Sequence, residues 1–448
     1  MLHETLWYLL VGGVLIAVGV LGSALHRLPC STAMIYLAVG AALGPAGLGM
    51  MDLDLGRDAK LLRQITEVAL LVSLFAIGLR LRVAALDRLW LLPVRLGFVA
   101  MIVTVPLLAA VAMPLLGLAW GPALLLAAML APTDPVLAHD VQVRNPGDVD
   151  LVRFALSGEG GLNDGISLPF VLAGLALCGH AGLIGGASPA SLHYALEVAW
   201  GIGGALAIGA ALGWLTLRGV TWLRTHHSQA LGLEGFFALG LIVVAFGLAQ
   251  LAHGFGFLSA FAAGVAMRRV EHRASGPSAP REVIGTIDST DVGATAQDPQ
   301  RAHAYMAESV LGFTIELERI AEVVVMTMIG SLLPGLLPGL LPGLLTARGW
   351  WPMLAVAAAL MLLIRPLAVA VSLAGSPTSP TQRRLVGWFG IRGIGSFYYL
   401  LFALEYAPAA ARPLAPVVLA IIALSVVAHG ISATPLMNRY HRHSQAKD

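Results

Sequence analysis

Long apolar runs alternate along this chain with short polar breaks, without the one-sided stripe of a soluble helix. The apolar segments fall at about 5–25, 29–49, 64–82, 92–117, 119–143, 151–178, 193–222, 231–250, 252–268, 309–334, 349–374, 384–406 and 411–436. Most approach the roughly 20 residues that cross a hydrocarbon core as a helix. They predict an all-α polytopic membrane protein with about 13 transmembrane helices. The fifth run is interrupted by Pro132 and Pro135, and Gly254 and Gly256 part the eighth from the ninth. One polar break stands apart: 270–307 lacks helical periodicity until an amphipathic entry at 302–308, and reads as a mobile cytoplasmic linker. The transmembrane domain therefore spans 1–436, with 270–307 a cytoplasmic loop inside it and 437–448 a short cytoplasmic tail. A tandem PGLL repeat at 333–345 sits at an external helix end and reads as a repeat expansion without a chemical role.

Composition agrees. Of 448 residues, 58% are hydrophobic and 12% charged, where a soluble domain carries about 25% charged residues. Bulk soluble enzymes, nucleic-acid binders and disordered scaffolds are excluded. The net charge of +2 says little as a total, but its distribution is informative. With the N-terminus outside and the C-terminus cytoplasmic, 20 of the 27 Lys and Arg residues fall in inside loops and five outside. The other two, Arg365 and Arg392, lie within apolar runs. The first run is long for a signal-peptide core and lacks a basic cluster before it, so it reads as a retained helix. Cys30 and Cys178 fit no disulfide or zinc pattern. An arginine-rich, lysine-poor, Ala/Leu/Gly-rich chain suggests a bacterial GC-rich genome, hence the inner membrane.

Ionisable residues inside membrane helices are costly, about 2.5–3.5 kcal/mol each on insertion scales, and mark function by default. Here they are Glu67, Asp134, Asp140, Glu159, Asp164, Arg365 and Arg392, with His139 beside them. Most lie in APTDPVLAHD (131–140) and SGEGGLNDG (157–165). Pro132 and Pro135 bracket Thr133 and Asp134, so the helix must open there. Opened backbone in lipid is tolerated only where it is buried or lines a wet cavity. Its freed carbonyls and the Thr133 hydroxyl are hard oxygen ligands, suited to a small hydrated cation. Glu159 and Asn163 share a helix face, with Asp164 one step round, on a glycine-rich helix that lets another backbone approach.

A buried guanidinium cannot shed its charge, so Arg365 and Arg392 each need a carboxylate or carbonyls, and Glu159 is the natural partner for Arg365. Asp164 is then the carboxylate left free to titrate. The glycines of GIRGIG around Arg392 suggest a second unwound helix, and two interrupted helices in corresponding halves point to a midplane transport site with inverted repeats. One buried carboxylate that holds either a proton or a cation, and crosses only when loaded, gives obligatory one-for-one, electroneutral exchange. Glu67 reads equally as a gate residue or an interfacial acid, and His139 with Asp140 as an interfacial pair or a pH sensor.

APTDPVLAHDVQV, EGGLNDG, LGFTIELERIAEV, IRPLAV and GIRGIGSFYYL, in that order over most of 5–436, resemble bacterial sodium/proton antiporters of the NhaP type. These belong to the monovalent cation:proton antiporters that include the eukaryotic sodium/proton exchangers. The resemblance implies a homodimer with a dimerisation domain and a mobile six-helix core holding two crossing unwound helices. It implies that Asp164 binds ion and proton with Asn163 as companion, that Thr133 is a ligand with Asp134 beside it, and that Glu159 and Arg365 form an intramembrane ion pair. Arg392 matches the arginine of the second unwound helix, and Glu67 an acid near the site in some members. Gly160 stands where some members have serine, one side-chain ligand fewer, which leaves Na⁺ against K⁺ open. No cofactor and no nucleic acid is expected, only Na⁺ (Li⁺ or K⁺) and H⁺ in a bilayer. The expectation is a Na⁺(Li⁺)/H⁺ antiporter, not an enzyme. A K⁺/H⁺ exchanger shares every motif, an intramembrane aspartyl hydrolase needs Asp134 and Asp164 to share a proton, and a passive channel needs a continuous pore.

Overall fold

The structure, a computed structural model, describes residues 31–84, 87–137, 141–143, 145–148, 150–227, 232–285, 292–344 and 350–445, with isolated positions of the first apolar run. Cys30, His139, Asp140 and Arg144 lie outside the described residues. Every regular element among those described is a helix. The helices are α1 (Thr32–Leu43), α2 (Ala59–Arg80), α3 (Arg88–Leu116), α4 (Trp120–Leu130), α5 (Leu151–Ile184), α6 (Leu192–His227), α7 (Glu234–Leu251), α8 (Gly256–Ser275), α9 (Ala302–Leu344), α10 (Trp351–Ser372), α11 (Pro380–Trp388), α12 (Ile394–Tyr406) and α13 (Ala415–Gln445). Seven stretches among the described residues are long and apolar enough to cross a membrane. Two of the apolar runs are split: 119–143 leaves helix after Leu130, and 384–406 leaves it between Trp388 and Ile394.

Small residues set how closely the helices approach. Lipid offers no hydrophobic drive for helix association, so packing favours backbones that touch. On α1, Gly40 faces the backbone of Thr327 and Gly44 that of Ser331, while Gly330 of α9 faces Leu37. On α6, Gly209 and Gly213 face the backbones of Ser259 and Ala263 on α8. Each pair advances four residues in the same sense, so α1 runs parallel to α9, and α6 to α8. Strict in–out alternation gives the same result for the second and tenth apolar runs and for the seventh and ninth. Gly78 of α2 and Gly264 of α8 complete a third such crossing.

The 270–307 segment differs from its expected linker character. Helix α8 runs on to Ser275, Gly276 ends it at φ 64°, and two further helices follow at Pro280–Ile284 and Val292–Gln297 before α9 begins at Ala302. Arg82 holds the turn: its guanidinium donates to the carbonyls of Gly276 and Ser278, each at 2.9 Å. Ile284 and Ala296 are buried. Pro280 suits a first helical turn, where its missing donor costs nothing, a local signal that periodicity over so short a stretch hides. Helix α9 is 43 residues long, about 65 Å at 1.5 Å per residue, and runs unbroken into the PGLL repeat as far as Leu344.

An ideal Cβ at Gly78 would lie 2.9 Å from the Val265 amide nitrogen. Gly78→Leu should therefore destabilise the protein by more than the ~1–3 kcal/mol of ordinary overpacking. A size-exclusion thermal melt in detergent checks this, and an unchanged melting temperature contradicts the packing.

Candidate functional site

The site is built on what two prolines remove. In an α-helix each amide bonds the carbonyl four residues back, so Pro132 and Pro135 leave the carbonyls of Ala128 and Ala131 without their usual donors. Both are supplied from elsewhere. Ser167 of α5 donates its hydroxyl to the Ala128 carbonyl at 2.7 Å. Arg392 donates Nη1 to the Ala131 carbonyl and, at 3.1 Å, to that of Pro132. Arg392 is thus held by carbonyls, one of the two kinds of partner its burial requires.

The backbone between α11 and α12 is non-helical over 389–393 and lies against the first break. The Asp134 amide donates to the Ile391 carbonyl at 2.8 Å. The Asp134 carboxylate accepts from the Val136 amide at 3.1 Å on Oδ1 and from the Ile394 amide at 3.2 Å on Oδ2. It therefore serves as the cap of α12, with both oxygens committed. Two glycines of the second break and one in the first turn of α12 make room for three side chains. A Cβ on Gly390 would meet the Arg365 side chain, one on Gly393 would lie 2.9 Å from Asp134 Oδ2, and one on Gly395 would overlap Asp164 Oδ1.

Helix α5 brings Asn163 and Asp164, 0% and 5% exposed, to this junction. Its glycines allow the depth: Gly158 packs on Pro93, Gly161 on Phe261 and Gly165 on Leu258. Asn163 Nδ2 donates to Thr133 Oγ1 at 2.8 Å, joining α5 to the first break. The Tyr399 hydroxyl donates to the backbone carbonyl of Asp164, joining α5 to α12. Among the described residues, Asp164 Oδ1, Asn163 Oδ1 and Ser396 Oγ are buried without a hydrogen-bond partner. Such oxygens in a dry interior are expensive, and hard, uncommitted oxygens are the donors a monovalent cation takes. Gly160, also buried, adds no ligand.

One turn before Asn163, Glu159 forms a two-pronged pair with Arg365 of α10, Nη1 to Oε1 and Nη2 to Oε2, the latter at 2.7 Å. Arg365 Nη2 also donates to the Val386 carbonyl at 3.2 Å. Glu67 lies at the Arg63 end of α2. It pairs with Arg63 at 3.0 Å and accepts from the Tyr398 hydroxyl at 3.2 Å, while Arg63 also holds Glu405 at 2.5 Å.

Sequence reading missed a second set of buried charges. Arg80, assigned to an inside loop by charge counting, is buried and pairs with Glu318 of α9, which also accepts from Ser73 at 3.2 Å. Glu322, one turn on, accepts from Thr32 at 3.0 Å. Arg268 bonds the Leu79 carbonyl at 2.5 Å, Glu271 at 3.2 Å and Glu308 at 2.9 Å. The available signal was the apolar company of Glu318 and Glu322 in LGFTIELERIAEVVVM.

Removing one partner of a buried pair leaves an uncompensated charge, so Glu159→Leu should cost roughly 3–5 kcal/mol, while Glu159→Leu with Arg365→Leu should recover most of that loss. Thermal melts of the two proteins measure the difference. Equal destabilisation by the single and double variants contradicts the pairing.

Comparison with known proteins bears on the family and the fold. Residues 13–439 match the family described as "Sodium/hydrogen exchanger, transmembrane". A Na(+)/H(+) antiporter of Saccharomyces cerevisiae is 30% identical over 155 residues, which is 32% of this chain and only 15% of the yeast protein. The fold is similar to that of the sodium proton antiporter MjNhaP1 from Methanocaldococcus jannaschii. The structure of that protein at pH 8 gives a TM-score of 0.69 at 17% identity, over 97% of this chain and 98% of that one. Its electron-microscopy structure gives 0.69 at 18% identity, over 98% of each. With nearly its whole length matched, this multi-pass membrane protein belongs to the transmembrane sodium/hydrogen exchanger family.

Proposed function

We propose that the chain is a secondary active antiporter that exchanges Na⁺ or Li⁺ for H⁺, one for one and electroneutrally, by alternating access at Asp164. The observation that carries this reading is the uncommitted Asp164 carboxylate oxygen, buried where two non-helical segments meet. An empty carboxylate there is charged and unpartnered, which resists passage through an apolar barrier. A bound proton or a bound monovalent cation neutralises it equally well. The two therefore compete for one site, and the site changes sides carrying one or the other. Asn163 and Thr133 hold their shared hydrogen bond beside it and offer oxygen ligands, while Asp134 and Arg392 fix the two breaks. The Glu159–Arg365 pair carries no net charge and contributes position.

The same geometry argues against an aspartyl hydrolase. Two catalytic carboxylates must share a proton, whereas both Asp134 oxygens accept backbone amides. Membership of the exchanger family and the similar fold support transport. Arginine-rich composition and the inside bias of positive charge support a bacterial inner membrane with the C-terminus cytoplasmic, and the resemblance to NhaP-type proteins supports a homodimer.

The test is proteoliposomes with an internal pH dye, given Na⁺, Li⁺ or K⁺ with the membrane potential clamped or free. A cation-driven pH change indifferent to the clamp, and absent in Asp164→Asn, is the expected result. A response to K⁺ alone makes the cation K⁺; a response that tracks voltage contradicts one-for-one exchange. Gly395→Ala should lower the rate by roughly tenfold or more, because its methyl group displaces the Asp164 carboxylate. Asp134→Asn should retain measurable exchange, since an amide oxygen still accepts one backbone donor. Loss as complete as in Asp164→Asn would make Asp134 a carrier of the exchanged charge.

A further inference from the structure

His429 of α13 is 1% exposed and faces the end of α11, where the second break begins. Its Nδ1 lies 2.7 Å from the Ser425 carbonyl and 3.2 Å from Ser425 Oγ, and its Nε2 lies 2.8 Å from the carbonyl of Trp388, the last residue of α11. A neutral imidazole has one N–H and one lone pair. Two carbonyl oxygens at hydrogen-bond distance from its two nitrogens are satisfied together only when both nitrogens carry protons. In the neutral ring one contact sets lone pair against lone pair, or the Ser425 hydroxyl turns to donate to Nδ1.

That hydroxyl also acts as an acceptor, which leaves its own O–H free to turn. Ser425 Oγ accepts the Arg392 amide at 2.8 Å, and the Arg392 guanidinium holds the Ala131 and Pro132 carbonyls of the first break. Helix α13 thus grips the non-helical segment at both ends, at Trp388 through His429 and at Arg392 through Ser425. Trp388 adds a third tie, its Nε1 donating to Ser432 Oγ at 2.9 Å. The charged groups facing the imidazole are Arg392 on the break and Arg365 of α10, with Glu159 of α5 beyond Arg365. Protonating the ring completes both carbonyl contacts and sets a third cation beside these two guanidiniums. Deprotonating it relieves the charge and weakens one contact.

We propose that His429 is a proton-linked positioning residue, which clamps the second break to α13 and, through Ser425 and Arg392, makes the geometry of the ion site depend on pH. This rests on the exchange reading above but is tested separately from it. Exchange rates of wild type, His429→Gln and His429→Ala are measured in proteoliposomes from about pH 5.5 to about pH 8.5, where histidine titrates. Glutamine can still donate to the Trp388 carbonyl but cannot take up the charge. His429→Gln should stay within about threefold of wild type at alkaline pH, while its acid-to-alkaline rate ratio should differ from the wild-type ratio by at least about threefold. His429→Ala should be slower at every pH, by roughly tenfold. A His429→Gln profile that superimposes on wild type overturns the proposal. Nitrogen-15 NMR of histidine-labelled protein, with His429 assigned by its absence in His429→Gln, reads the ring directly. A ring whose protonation does not change over this range overturns the proposal even if the exchange assay fails. A wild type that exchanges no cation, with a ring that titrates, defeats the exchange reading alone.

Discussion

Two backbone carbonyls, those of Ala128 and Ala131, lose their helical donors to Pro132 and Pro135 in a region where water is scarce. Each buried, unpaired group costs about 1–3 kcal/mol or more, so the fold has to bring a donor to both. Ser167 on α5 and Arg392 on the second break are those donors. Supplying them draws α5 and the α11–α12 junction onto the first break, and that convergence places Asp164 beside Gly395 and Asn163 against Thr133. The proposed ion site is a consequence of repairing an interrupted helix.

The same repair explains why fixed charges surround the site without occupying it. The Arg392 cation is placed on carbonyls, Arg365 on Glu159, and the Asp134 carboxylate on two amides. Each is held by geometry that leaves it little freedom. Asp164 is left with an oxygen that none of these groups engages. Glycines at 390, 393 and 395 are needed because each lies where a Cβ would strike Arg365, Asp134 or Asp164. The second break is therefore shaped by the side chains packed on it.

Much of this was legible in the sequence, for definite reasons. Paired prolines in an apolar run announce a break, and charges in apolar runs announce partners, so Pro132, Pro135, Glu159, Asp164, Arg365 and Arg392 stand out without a structure. What was hidden depends on contacts between positions far apart in the chain. Ser167 and Ser425 are ordinary serines until Ala128 and the Arg392 amide are seen beside them. Arg80 and Arg268 passed for loop charges, because charge counting assigns sides of a membrane and not burial. The capping bond of Asp134 is likewise hidden in sequence, since only the fold puts the Ile394 amide on its carboxylate.

The central claim is that proton and cation compete for one carboxylate, which binding reveals without any transport. Na⁺ is added to detergent-solubilised protein in weak buffer with a pH indicator, and proton release is counted against bound cation at several pH values. The predicted result is one proton released per cation at acid pH, with apparent affinity falling by about tenfold for each pH unit lower, and no release from Asp164→Asn. Saturable Na⁺ binding with no proton released at any pH, or release undiminished in Asp164→Asn, would contradict it.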